Sequence, residues 1–164
     1  MARERSLARC KKLQGDIRSA LATGPIYPWV LLARLNPDKF FSDVIESVIG
    51  AIFIDSRGDL SPCQRFIERI GITQYLRRVL AERVVVEHPR NALQRITGSE
   101  AVQYIIDCEG ESSIQSYRCT VSMNEEILAQ VDGCLSKDEA VTVAAETAKT
   151  LLLERRKEHG KATA

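Results

Sequence analysis

Asp43 and Glu46 stand inside the most apolar stretch of the chain, Lys39-Phe40-Phe41-Ser42-Asp43-Val44-Ile45-Glu46-Ser47-Val48-Ile49-Gly50-Ala51. Three residues apart on a helix, they are neighbours on one face, with β-carbons about 5–6 Å apart. Carboxylates that close repel each other and need solvent, a cation or a raised pKa to coexist. Hard oxygen ligands of this kind suit Mg2+ or Mn2+. The plainer alternative is the solvated edge of an amphipathic helix. Spacing by itself favours that alternative, because acid pairs at this distance are common. Lys39, in the first turn, reads by itself as an ordinary solvated lysine.

The helix that positions the pair is expected to start at Asn36-Pro37, a capping side chain followed by proline at the first helical position. Its apolar residues wrap much of its circumference, so it is expected to be largely buried. Gly50 sits one turn beyond Glu46. Glycine inside a helix costs about 0.8–1.0 kcal/mol relative to alanine, which points to the close approach of another backbone.

Around this helix the sequence predicts helices over 4–22, 30–35, 61–70 and 73–83, with Ser61 and Gln64 placed for a capping box. His88-Pro89 opens a further helix ending at Gly98. The period then changes. Residues 101–107, 115–123 and 127–131 read as strands, with Tyr117, Cys119, Val121 and Met123 on one face. Ser136 and Glu139 form a second capping box, opening a helix with the stripe Ala140, Val143, Ala144, Thr147, Ala148, Leu151. The fold class expected is therefore α + (α+β): an all-helical part over 1–86, an αβββα part over 88–157, and a charged tail over 158–164, with fraying expected from Glu154.

Charge supports two units. Residues 1–20 carry Arg3, Arg5, Arg9, Lys11, Lys12 and Arg18 against Glu4 and Asp16, whereas residues 98–135 carry seven acids and only Arg118. The five cysteines show no CxxC spacing and the two histidines, His88 and His159, are far apart, so the pattern does not suit zinc. The cysteines read as free thiols of a reducing, intracellular compartment, cytoplasmic or nuclear. No apolar run has membrane length and no signal peptide is visible. The start, a Met followed at once by polar and basic residues, reads as a chain that begins inside a fold.

The stretch Ser42-Asp43-Val44-Ile45-Glu46-Ser47-Val48-Ile49-Gly50-Ala51 resembles the second acidic motif of the ribonuclease III family, Asp-x-x-Glu-[Ala/Ser]-x-x-Gly-Ala. The Lys39-Phe40-Phe41 entry and Trp29 upstream look most like fungal Dicer-like proteins. The resemblance implies a metal-dependent endoribonuclease acting on double-stranded RNA in RNA processing or silencing. Asp43 and Glu46 would then be ligands of Mg2+ or Mn2+, and Lys39 would lie near the scissile phosphate. It also implies pairing with a second ribonuclease III domain, on this chain or another.

The match has a gap. The family's first acidic motif, built around Glu-x-Leu-Glu-x-x-Gly-Asp, does not occur before residue 39, where Glu4, Asp16 and Asp38 are the acids. Two ligands of the family's set are missing, and apolar surface of the 39–54 helix should remain uncovered. The αβββα part resembles a double-stranded-RNA-binding domain, a fold that reads A-form shape through phosphates and 2′-hydroxyls. Its phosphate-contacting lysines are reduced to Lys137, because Asp138 and Val141 replace the others. The two functional readings are thus an active endoribonuclease part and a catalytically inactive remnant that binds RNA or dimerises.

Overall fold

A computed structural model describes residues 2–36, 40–109 and 115–162. In chain order the elements are α1 (Ala2–Thr23), α2 (Trp29–Leu35), α3 (Phe40–Asp55), α4 (Ser61–Arg69), α5 (Ile72–Ala81), α6 (Pro89–Thr97), β1 (Val102–Glu109), β2 (Ser116–Met123), β3 (Glu126–Cys134) and α7 (Lys137–Ala162). They form two compact units. Unit 1 comprises Met1–Pro28 and Pro37–Val86, and unit 2 comprises Trp29–Asn36 and Glu87–Ala164. A helical part running unbroken from 1 to 86 is therefore not what the contacts give, because α2 packs with the later elements. The expected start at Asn36-Pro37 and the turn at Gly110–Ser113 involve residues outside those described.

Unit 1 is organised by turns. Gly24 ends α1 with its N–H donating to the Ala20 carbonyl at 2.9 Å, and a β-carbon there would lie 2.5 Å from that oxygen, which requires glycine. The next residues run beside the end of the unit. The Tyr27 N–H donates to Val85 O at 2.8 Å, and the Val85 N–H to Pro25 O at 2.9 Å. The Arg78 guanidinium donates to Leu21 O, and to Gly24 O at 2.7 Å, satisfying carbonyls at the α1 terminus. Cys63 of α4 is buried, with its Sγ donating to the Ile49 carbonyl of α3 at 3.6 Å.

The capping box expected at Ser61 and Gln64 does not form. Asp59 Oδ1 instead accepts both the Ser61 N–H at 2.9 Å and its hydroxyl at 2.7 Å, and Gln64 turns to Glu68. A charged acceptor two residues upstream competes successfully for Ser61. Those two bonds hold the Asp59 carboxyl below its ordinary range.

Unit 2 has a closed core. Its sheet is antiparallel in the order β1-β2-β3. Met123 pairs with Glu126 across a two-residue turn in which Asn124 and Glu125 both have positive φ, 50° and 67°, the backbone that matches strand twist in a tight hairpin. Tyr117, Cys119, Val121 and Met123 point to one face as expected. Cys119 and Val121 are fully buried, and Tyr117 and Met123 pack against them. From α7, Ala140, Ala144, Ala145 and Ala148 are each 0% exposed, and Leu93 of α6 is equally buried. Alanines spaced four, five and eight apart let α7 lie close on the sheet.

The capping expected at Ser136 and Glu139 forms, with the return bond one residue before the cap. The Glu139 N–H donates to Ser136 Oγ at 3.0 Å, and the Glu139 carboxylate accepts the Leu135 N–H at 2.8 Å. The expected frayed tail is a correction, since α7 continues to Ala162. Contacts help to hold this end: Arg155 pairs with Glu126 at 2.7 Å and Arg156 donates to Ile96 O at 2.7 Å. Among the described residues no helix is long and apolar enough to cross a membrane.

Candidate active site

The acidic pair lies in the first half of α3. Asp43 and Glu46 are both exposed, separated by Val44 and Ile45. The Ser47 hydroxyl donates to the Asp43 carbonyl at 2.7 Å, a local bond within the helix. A shallow open groove beside the pair is lined by Asp43, Val44, Ser47, Val48 and Ala51. It is apolar except at its acidic end.

The expected burial of this helix is overturned. Val44 is 40% exposed, Phe53 42% and Ile54 78%. Residue type demanded cover, but little of unit 1 supplies it: α4 packs on α3 near Ile49 and Cys63 and leaves the acidic face open. The uncovered apolar surface expected from the missing motif is what the structure shows. Gly50 is also exposed, and a β-carbon placed on it would meet nothing within 4 Å. Among the described residues no backbone approaches it.

Lys39 lies outside the described residues. Among those described, no group of three or more His, Cys, Asp or Glu side chains is placed to hold a metal ion. Asp43 and Glu46 have the right donor type for Mg2+ or Mn2+, but Mg2+ demands near-octahedral oxygen coordination.

In unit 2, Lys137 is the first residue of α7 and is exposed, with exposed Asp138 beside it. One residue further, Glu139 is buried and faces Arg34 of α2, with 3.4 Å between the Arg34 Nε and a carboxylate oxygen. Sequence reasoning missed Arg34. A single arginine in the short apolar segment Trp29–Leu35 carries no signal that it serves a helix a hundred residues later. It also missed Arg90, whose guanidinium lies 5.0 Å from the centre of the Tyr104 ring.

The face of the sheet turned away from the core is acidic. Arg118 bridges Glu109, at 2.7 Å, and Asp132. Those acids, with Asp107 nearby, hold the guanidinium protonated more firmly than usual. The buried thiols of unit 2, Cys119 and Cys134, are suited to packing rather than to reaction. Burial pushes the Cys119 thiol up to about 11, with Cys134 adding to the effect, and burial also raises Cys134.

No protein-family model matches the chain. Curated relatives do. The chain is 50% identical over 147 residues to Dicer-like protein 2 of Aspergillus terreus, covering 88% of this chain and 10% of that protein. It is 47% identical over 152 residues to Dicer-like protein 2 of Aspergillus fumigatus, covering 92% and 11%. It is 36% identical over 154 residues to Dicer-like protein 2 of Cryphonectria parasitica, covering 93% and 11%. The chain thus spans about a tenth of the length of the curated relatives it matches. Among solved structures, Dicer from Pichia stipitis is 18% identical, covering 87% of this chain and 72% of that one with a TM-score of 0.31.

Proposed function

The chain is homologous over nearly its whole length to one segment of fungal Dicer-like 2 proteins, and from that premise we propose that it is part of a double-stranded-RNA-processing endoribonuclease of ribonuclease III type. The observation that carries the reading is the Asp43–Glu46 pair, set exposed on the open face of an otherwise apolar helix. Both carboxylates face solvent, and the groove beside Asp43 leaves room for a phosphodiester. In this reading Asp43 and Glu46 are two of the carboxylate ligands of a Mg2+ or Mn2+ centre. In this reading Lys39 acts near the scissile phosphate. The chemistry such a centre supplies is activation of a water and stabilisation of the leaving oxygen. Among the described residues no third ligand joins the pair, and in this reading the remaining ligands come from elsewhere.

Unit 2 is then the RNA-binding-like module, with Lys137 its remaining phosphate contact at the start of α7. The partners are double-stranded RNA and a second ribonuclease III domain that covers the open side of α3. Missing ligands equally favour a second reading, an inactive part kept for RNA contact or pairing.

The test is to incubate the folded chain with long double-stranded RNA and Mg2+, beside Asp43→Asn. We expect no cleavage by either. Cleavage that disappears in Asp43→Asn would overturn the claim of incompleteness and make the chain an enzyme. Mn2+ reports on the pair without catalysis: its paramagnetic broadening should centre on residues 43–47 and vanish in the Asp43→Asn/Glu46→Gln variant. Broadening that persists in that variant removes the metal-ligand role.

A further inference from the structure

We infer that α2 is a strap: a short helix that folds only when docked on unit 2 and is latched there by Arg34 on Glu139. Three observations carry this. Ala33 is 6% exposed, so α2 buries a face. The Glu139 side chain is 9% exposed, with one carboxylate oxygen taking the Leu135 N–H at 2.8 Å and the other lying 3.4 Å from Arg34 Nε. At the other end of α2, the Trp29 ring stands edge-on to the His88 ring, 4.8 Å between centres. His88 is itself the cap of α6, its Nδ1 accepting the Arg90 N–H at 3.2 Å. The strap therefore touches the starting turns of both helices of unit 2.

The physics makes α2 a two-state element. An isolated helix shorter than about 12–15 residues is marginal in water, and α2 has seven. Docking and helix formation are consequently one event. The Glu139 carboxylate is buried, and Arg34 is the cation placed beside it. Arg34 is about half exposed, so the latch is moderate and sensitive to salt.

Backbone hydrogen exchange on the full chain tests this. In the native chain, residues 30–35 should exchange at rates near those of α6, not of a free peptide. Arg34→Ala and Glu139→Gln should each speed exchange in 30–35 about fivefold, as loss of a half-screened ion pair implies. Gln keeps an acceptor for the Leu135 N–H, so its effect reports the latch and not the cap. The double variant should be no faster than the faster single one, because both remove the same interaction. Exchange in 42–55 should not change. Raising salt should mimic the variants. If Arg34→Ala fails to fold, Trp29→Ala probes the other anchor by the same readout. Free-peptide exchange of 30–35 in the native chain overturns the strap, as do additive single effects or acceleration spread equally over α3–α5.

Discussion

Helices α3 and α7 lie in opposite surroundings. α3 is the more apolar by sequence, yet Val44, Ile45, Val48, Phe53 and Ile54 remain exposed on it. α7 is rich in charge, yet four of its alanines are completely buried. Hydrophobicity states a demand for cover, and only a facing surface meets it. For α7 the three-stranded sheet is that surface and lies within the same unit. For α3 the described residues provide it only near Ile49 and Cys63.

The largest test of this contrast is in the closed core. Leu93→Ala should cost about 2–5 kcal/mol. Trp29, the single tryptophan, lies in unit 2, so its fluorescence during urea unfolding reads the loss there. A midpoint unchanged by Leu93→Ala would mean that the core is not closed in solution.

Next is Thr142, fully buried with a hydroxyl that finds no hydrogen-bond partner among the described residues. Thr142→Val keeps the shape and removes the unpaired group. It should stabilise unit 2 by about 1–2 kcal/mol in the same assay. Destabilisation would show that the hydroxyl is satisfied after all.

On the open side, Val44→Ser and Val48→Ser should change stability by no more than about 0.5 kcal/mol, because these positions are already in water. They should lower binding of a hydrophobic dye. A loss of several kcal/mol would show that α3 is covered in solution, for instance by a second copy.

The smallest effect is in acid. Arg95 donates two hydrogen bonds to Glu87, at 2.9 and 3.1 Å, and holds its carboxyl below the ordinary 4.5. A depressed carboxyl stabilises the fold above its unfolded value, and that contribution disappears as pH falls through the lower folded value. Glu87→Gln should flatten this part of the acid limb of the unit 2 stability curve. An identical limb would mean that the pair contributes nothing in solution.

What the sequence disclosed and what it hid follow one division. Local chemistry was readable: the alternation that buries Cys119 and Val121, the Ser136–Glu139 box, the helix opened by His88-Pro89. So was the Asp43–Glu46 spacing. Competition between neighbours was not, and Asp59 took Ser61 from its expected partner. Nor was anything that depends on distant surfaces. The burial of α3 and the crowding expected at Gly50 needed facing elements that periodicity cannot supply. The assignment of α2 to unit 2 depended on Glu139, far along the chain.

The parentage of α2 bears on how such a module can be moved between proteins. A gene segment beginning at Glu87 would carry every element of the αβββα fold and look like an exchangeable cassette. It would leave behind the guanidinium that Glu139 faces and the aromatic ring against His88. A lineage that transplanted the segment would inherit an uncompensated carboxylate at the root of its last helix. Replacing Glu139 with glutamine is the repair to look for in any such graft.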